Sequence, residues 1–434
     1  MAVSAQTDWL VSLRRELHRR PEPAWCEFYT TARIVDELRT LGVDELHIGP
    51  EILADGERQG VPDEATLDAW LAQARETEVD EDVLDQLAGG YTGTMATLER
   101  GDGPTVALRV DIDGLPQQET DGHGHQPTEE GFRSVHEGYM HACGHDAHTT
   151  IGLGVLRELA DREFDGTLKL IFQPAEEVVG GGRPIAESGH LDDVDALLAV
   201  HIGLGHPTGE IVAGMGGFYA VSHFDAAFTG TPAHAGAEPE AGANAVQAMA
   251  TAVTNLYGIA RHSDGATRIN AGEVAGGTAS NIIPEDAYIQ GEVRGETTDL
   301  MTYTRDRAEN ILRSAAEMHD CTVEVTRGSE APSAESDEAV ASVVAENAEG
   351  HDHVHTVTPH GELGASEDAT YLMRRVQERG GVASFVGVGT DHPGGHHTAT
   401  FDVDERSLRI GVDVLADTIE DLFGGEHEES ARQS

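Results

Sequence analysis

The sequence predicts an α/β protein: a central, mostly parallel sheet with helices on it, interrupted by a smaller ferredoxin-like α+β domain. Three observations predict this. Short apolar strands separated by a helical stretch run from residue 105 to 200, the rhythm of a parallel sheet with covering helices. A β-α-β-β-α-β order then occupies roughly residues 219–330, a self-contained split ferredoxin-like unit. Beyond it the chain returns to helix, strand and helix. The expected organisation is therefore a discontinuous larger domain, 1–218 and 331–434, with residues 219–330 inserted as a smaller domain.

Each element has its own justification. Asp8 to Arg20 carries Leu10, Leu13 and Leu17 at helical spacing, and Pro21 closes it. Thr30 to Leu41 places Ile34, Leu38 and Leu41 on one face, with Gly42 as C′ residue. From Val43 to Gly90 the chain is acidic and helical without a strong apolar stripe, which reads as a peripheral insertion. Strands follow at Thr105–Val110, Thr167–Phe172 and Ala196–Val200, with a helix around Ala147–Ala160. In the inserted domain the strands are Phe224–Phe228, Arg268–Val274, Ala287–Val293 and Thr322–Val325. Its helices are Ala243–Ala260 and Leu300–Met318. Ala331–Ser336 reads as a linker, before a strand at Ala383–Val388 and a helix at Arg406–Leu422. There is no tandem repeat, and the acidic tail after Gly424 is predicted to be disordered.

Composition narrows the partners. The 434 residues hold 78 acidic against 28 basic side chains, a formal net charge of −50. Such a surface repels nucleic-acid phosphates and anionic lipid headgroups, both of which need a basic footprint. Lys169 is the only lysine. Acidity with almost no lysine suits a protein hydrated in concentrated salt, where screening lengths fall to roughly 3 Å at 1 M. With 39% apolar residues and regular Gly and Pro punctuation, the chain is no disordered acidic polymer. Cys26, Cys143 and Cys321 are odd in number and far apart, which argues against a disulfide framework. The opening MAVSAQTDWLVSLRREL lacks a basic start followed by an apolar run, and no apolar stretch reaches about 18 residues. A cytoplasmic protein without a membrane span is expected.

Five motifs carry chemistry. LRVDIDGLP leaves a strand with Asp111 and Asp113; MHACGHDAH precedes a helix; FQPAEE leaves the next strand with Glu176 and Glu177. AVHIG brings His201, and GGHHTATFD brings His396 and His397. In open α/β sheets, ligands bind beyond the carboxyl ends of the strands. Singly, each residue has a plain structural reading: Cys143 a small buried hydrophobe, His201 a capping ring, the glutamates a solvated pair. The histidine pair is drawn from 23 in the chain. Together, thiolate, imidazole and carboxylate at strand ends point to a borderline divalent ion such as Zn²⁺ or Mn²⁺, rather than oxygen-seeking Mg²⁺ or Ca²⁺. The donors exceed the needs of one open tetrahedral ion and suit two ions about 3.5–4 Å apart. Such a site also needs a carboxylate that does not ligate, to move a proton, and adjacent glutamates can divide that labour.

These motifs resemble those of the dinuclear metalloamidohydrolases that include aminoacylases, glutamate carboxypeptidases, hippurate hydrolases and auxin-conjugate hydrolases. The likeness runs from the first helix to Phe423, through GVPDEATL, GGYTGTMATL, MHACGHDAHTTIGLG, GTPAHAGAEPEAGANA and GHHTATFDVDE. It is nearest to the p-aminobenzoyl-glutamate hydrolase branch, and it implies a zinc-peptidase-like larger domain. It further implies metal ligands at Cys143, His145, Glu177, His201 and His397, with Glu176 as general acid/base. His397 is preferred to His396 because the family places a Phe four residues after the ligand, and Phe401 fits. His234, Asn281 and Arg294 match substrate-binding positions: oxyanion donor from a partner subunit, carbonyl contact and carboxylate fork. Where other branches use a His in place of Asp111 and an Asp as bridging ligand, the resemblance implies that Cys143 and His145 take over here, so Asp111 and Asp113 are expected to orient ligands. The implied activity is hydrolysis of small anionic N-acyl or N-aroyl amino acids, p-aminobenzoyl-glutamate above all, by a homodimer or a heterodimer with a related subunit. The alternatives are N-acetyl amino acids, hippurate or dipeptides as substrates, and a catalytically inactive metal-binding or regulatory subunit.

Overall fold

The structure, a computed structural model, describes residues 2–424. The acidic tail after Gly424 lies outside the described residues. The chain forms two compact units, divided at Gly216/Gly217 and Ser333/Ala334, with Gly364–Glu367 joining the smaller one.

The larger unit is built on an eight-stranded sheet. Its order is Glu45–Ile48, Thr94–Glu99, Thr167–Gln173, Thr105–Asp111, Ala196–Ile202, Val382–Val388, Glu210–Gly216 and Thr356–Glu362. Four of its seven pairings are parallel. The central strand Ala196–Ile202 is buried along its whole length, which requires cover on both faces. Leu198, Val200 and Ile202 join a core with Ile151 and Val155 of the helix His145–Ala160 and Val412 and Leu415 of Arg406–Phe423. Leu10, Leu13 and Leu17 of the first helix, Ala2–His18, complete that layer as their spacing predicts. Ala369–Glu378 packs on Ala196–Ile202 and Val382–Val388.

Four strands of this sheet are not foreseen by the sequence reading. Thr94–Glu99 and Thr356–Glu362 lack the continuous apolar run that marks Ala196–Ile202, and in Glu210–Gly216 Gly214 interrupts it. The fourth corrects the insertion: Glu45–Ile48 pairs antiparallel with Thr94–Glu99 and forms one edge of the sheet. The acidic segment also buries Leu67, Trp70, Val83 and Leu84, so it is part of the core and not a peripheral addition. Its apolar residues are few, and the polar ones between them hide the period.

The smaller unit has a four-stranded antiparallel sheet in the order Thr322–Ala331, Ala220–Thr229, Asp286–Gly295, Thr267–Gly276. In chain order that is 4-1-3-2, with helices Ala245–Leu256 and Thr298–Met318 packed on the sheet. Phe224, Phe228, Ile289, Leu256 and Leu312 form its separate core. A two-stranded ribbon pairs Ala233–His234 with Ile282–Ile283.

Candidate metal centre

Parallel register sets the chemistry at one end of the larger sheet. Asp111 ends its strand opposite Gln173, and His201 lies opposite Gly387. Gly144 adopts φ +91 and launches the helix His145–Ala160; a Cβ there would lie 2.5 Å from the Ile202 Cγ2 methyl. Only glycine fits between Cys143 and His145. The strand Thr167–Gln173 runs through Pro174 into a turn at Glu176–Val178, flanked by Ala175 and Val179 at φ +57 and +54. His397, at φ +62, lies in the loop after Val382–Val388.

Cys143 Sγ faces two sets of ligand atoms. With His145 and Glu177 it forms one group, with His201 and His396 another, each within 4.8 Å. His201 points Nε2 at Sγ, 3.4 Å away, and gives its Nδ1 hydrogen to the Ile202 carbonyl. His145 donates from Nδ1 to Asp113 Oδ1 at 3.1 Å, so in the neutral ring Nε2 carries the lone pair. That Nε2 is buried without a hydrogen-bond partner, and so is Glu177 Oε1, 3.8 Å away. Two orphaned buried acceptors, each costing about 1–3 kcal/mol unpaired, are what a bound cation would satisfy. His397 Nε2 stands 3.5 Å from Glu177 Oε2.

Nearby groups are already engaged. His148 meets Asp111 Oδ1 at 2.5 Å through Nδ1 and accepts the Ile202 amide at Nε2, so both ring nitrogens are used. Asp111 Oδ2 accepts from Arg109, and Asp113 Oδ2 accepts the Glu177 amide. His396 Nε2 accepts the Leu204 amide at 2.9 Å. A neutral ring accepting there has its proton on Nδ1, 3.6 Å from Sγ, so His396 offers Cys143 a donor rather than a lone pair.

The electrostatics suit a divalent cation. Burial pushes the Glu177 carboxyl up to about 8, with Asp113 and Asp111 adding to it and His145 opposing. Burial raises the Cys143 thiol well above its usual range, helped by Glu177. Burial holds His201 neutral, with His148 adding to that. A divalent ion would reverse the first two shifts by deprotonating its ligands. The thiol, imidazole and carboxyl donor set thus fits a divalent metal.

A family model described as peptidase family M20/M25/M40 matches residues 107–421. The chain belongs to this family. Indole-3-acetyl-aspartic acid hydrolase of Enterobacter agglomerans is 43% identical over 94% of each chain. A p-aminobenzoyl-glutamate hydrolase subunit of Escherichia coli strain K12 is 42% identical over 93% of this chain and 94% of its own. The crystal structure of an aminobenzoyl-glutamate utilization protein from Klebsiella pneumoniae superposes with TM-score 0.80, at 34% identity and 96% coverage of both chains. A Bacillus subtilis dinuclear metal-binding peptidase of the M20 family shares the fold, with TM-score 0.68 at 24% identity over 97% and 99% of the chains. The protein is an M20 amidohydrolase with candidate metal-binding groups at the sheet's carboxyl end.

Among the sequence-derived site residues, Cys143, His145, Glu176, Glu177, His201 and His397 come from four separate segments of this M20 chain to the same sheet end. The other three lie in the smaller unit. His234 Nδ1 accepts the amides of Gly236 and Ala237, which puts its proton on an exposed Nε2. Asn281 adjoins it on the ribbon, its carbonyl accepting the Ala235 amide. Arg294 forms a bidentate pair with Glu292, at 2.9 and 3.1 Å. Sequence reasoning missed Glu27 and Asp368, buried carboxylates that hold the backbone of the glutamate loop. Neither belongs to a motif, because each acts on amides that any residue carries.

Proposed function

We propose that this M20 hydrolase cleaves the amide of N-acyl or N-aroyl amino acids, p-aminobenzoyl-glutamate first among them, to a carboxylate and a free amino acid. One observation carries the reading: Cys143 Sγ lies within 4.8 Å of ligand atoms of His145 and Glu177 and 3.4 Å from His201 Nε2, with Glu176 next in sequence to the ligand candidate Glu177. In this reading Cys143, His145, Glu177, His201 and His397 would hold two divalent ions, Mn²⁺ or Zn²⁺. Bound there, such ions polarise the scissile carbonyl and acidify water. Glu176 takes a proton from the attacking water and delivers it to the departing amide nitrogen as the C–N bond breaks. His234 donates from Nε2 to the oxyanion, a role its fixed tautomer suits. Asn281 contacts the carbonyl region. Arg294 takes the substrate carboxylate, in place of the Glu292 carboxylate it now grips.

The residues 1–218 and 331–434 act as catalytic domain and 219–330 as lid and dimerisation domain of a cytoplasmic homodimer or heterodimer. The Escherichia coli relative is named as one subunit of its hydrolase, which supports a paired assembly. Indole-3-acetyl-aspartate is the second substrate to consider, on the 43% identity of the Enterobacter enzyme. The test is hydrolysis of p-aminobenzoyl-glutamate, indole-3-acetyl-aspartate, hippurate and N-acetyl amino acids with Mn²⁺ or Zn²⁺, at low and multimolar salt. Turnover of the first above all others is expected. Failure on every N-acyl amino acid overturns the reading.

A further inference from the structure

Glu27 is a fully buried carboxylate outside the ligand groups around Cys143, and its side chain does not cap the helix that it precedes. It immediately precedes the helix Phe28–Leu41, yet Glu22 does the capping there, with Oε1 accepting from the Tyr29 amide and Oε2 from the Thr30 amide. Glu27 reaches instead to the segment that carries the two glutamates. Its Oε1 accepts the Ala175 amide at 2.8 Å, and its Oε2 accepts the Thr92 hydroxyl at 2.6 Å.

That segment needs holding. Ala175 and Val179 both occupy the left-handed region, where a Cβ crowds the backbone and a β-branched residue is a true outlier. Between them lies only the short turn Glu176–Val178. Three further amides of the segment also go to buried carboxylates: Glu177 to Asp113 at 3.0 Å, and Gly181 and Gly182 to Asp368 at 3.1 and 2.8 Å. Strain of this kind persists where the surroundings over-determine it. Glu27 is the constraint at the entry of the turn, one residue before Glu176.

We propose that Glu27 is a positioning residue: by holding the Ala175 amide it keeps Ala175 left-handed and sets the pitch at which Glu176 and Glu177 leave the turn. The kinetic consequence rests on the reading of Glu176 as the general acid/base. The backbone consequence does not.

The experiment uses the full-length protein as wild type, Glu27→Gln, Glu27→Leu and Glu27→Leu combined with Ala175→Gly. Amide hydrogen exchange is followed across residues 174–182, and kcat and KM are measured on p-aminobenzoyl-glutamate with Mn²⁺. Gln can accept the Ala175 amide and donate to Thr92, so Glu27→Gln is expected to match wild type in exchange and to stay within about threefold in kcat. Glu27→Leu is expected to speed exchange in the segment about tenfold and to lower kcat about 10–100-fold, with KM little changed. Glycine adopts the left-handed region without help, so Ala175→Gly is expected to restore part of both losses. Unchanged exchange in Glu27→Leu overturns the inference, as does a double variant no better than the single one. Were wild type to leave the substrate untouched, p-aminobenzoyl-glutamate would fall as the substrate while exchange still decided the role of Glu27. Should Glu27→Leu not fold, Thr92→Val removes the hydroxyl that fixes the second oxygen. Faster exchange of the segment is expected there too, and its absence overturns the inference.

Discussion

Neighbouring side chains in this protein differ by what their remaining atoms already touch. His148 and His396 sit among the ligand candidates, yet each spends Nε2 on a backbone amide. Replacing His396 by Ala should remove a donor to Cys143 and the acceptor of the Leu204 amide, and weaken metal binding about 10–100-fold while both ions still bind. Chelator competition and metal stoichiometry measure this; loss of one ion per chain would make His396 a ligand. Replacing Glu176 by Gln should keep metal content and lower kcat about 10²–10⁴-fold. Near-normal turnover would remove Glu176 from its role. His18 offers a pH test. Burial lowers its pKa and Arg14 adds to that, but hydrogen bonds to Asp146 and Glu119 outweigh both and push it up to about 9. With the folded value above the unfolded one, its stabilisation is complete below about pH 6.5 and is lost as pH rises through 9. Wild-type melting temperature should fall across that window, and His18→Gln should flatten the fall.

Among the elements, the segment from Pro174 to Gly182 shows what a sequence conceals. FQPAEE announces its glutamates, but nothing in it announces left-handed Ala175 and Val179 or the carboxylates that hold the amides. Gly181 is there because a Cβ would lie 1.8 Å from the Pro174 carbonyl oxygen. Gly181→Ala should therefore displace the loop and destabilise the fold by a few kcal/mol or more, read by denaturant unfolding. The helices are legible because one face is apolar at regular spacing, as with Leu10, Leu13 and Leu17. The strands Thr105–Asp111 and Ala196–Ile202 are legible because both faces are buried. Glu45–Ile48 is not, since an edge strand with one half-exposed face carries too few apolar residues to show a period of two.

At the scale of the whole molecule, the net charge of −50 meets few cations. Arginines are shared between carboxylates: Arg33 by Glu16 and Glu37, Arg162 by Asp417 and Glu420, Arg409 by Glu158 and Asp413. The surplus carboxylates are left to water and salt. An anionic substrate approaching this surface is repelled at low ionic strength, while a buried centre is screened much less. Activity should therefore rise with KCl well beyond physiological levels, and a maximum without added salt would contradict that. The residue types, their order and the apolar periods determined by themselves the α/β class, the ferredoxin-like insertion and the five motifs, because each is written in local chemistry. Only the tertiary structure decided which atoms remain available. Asp113 takes the proton side of His145, Ile202 occupies His148, and Leu204 occupies His396. Those partners lie up to 192 residues away in the chain, and two of the three act through backbone amides, so no motif could carry them.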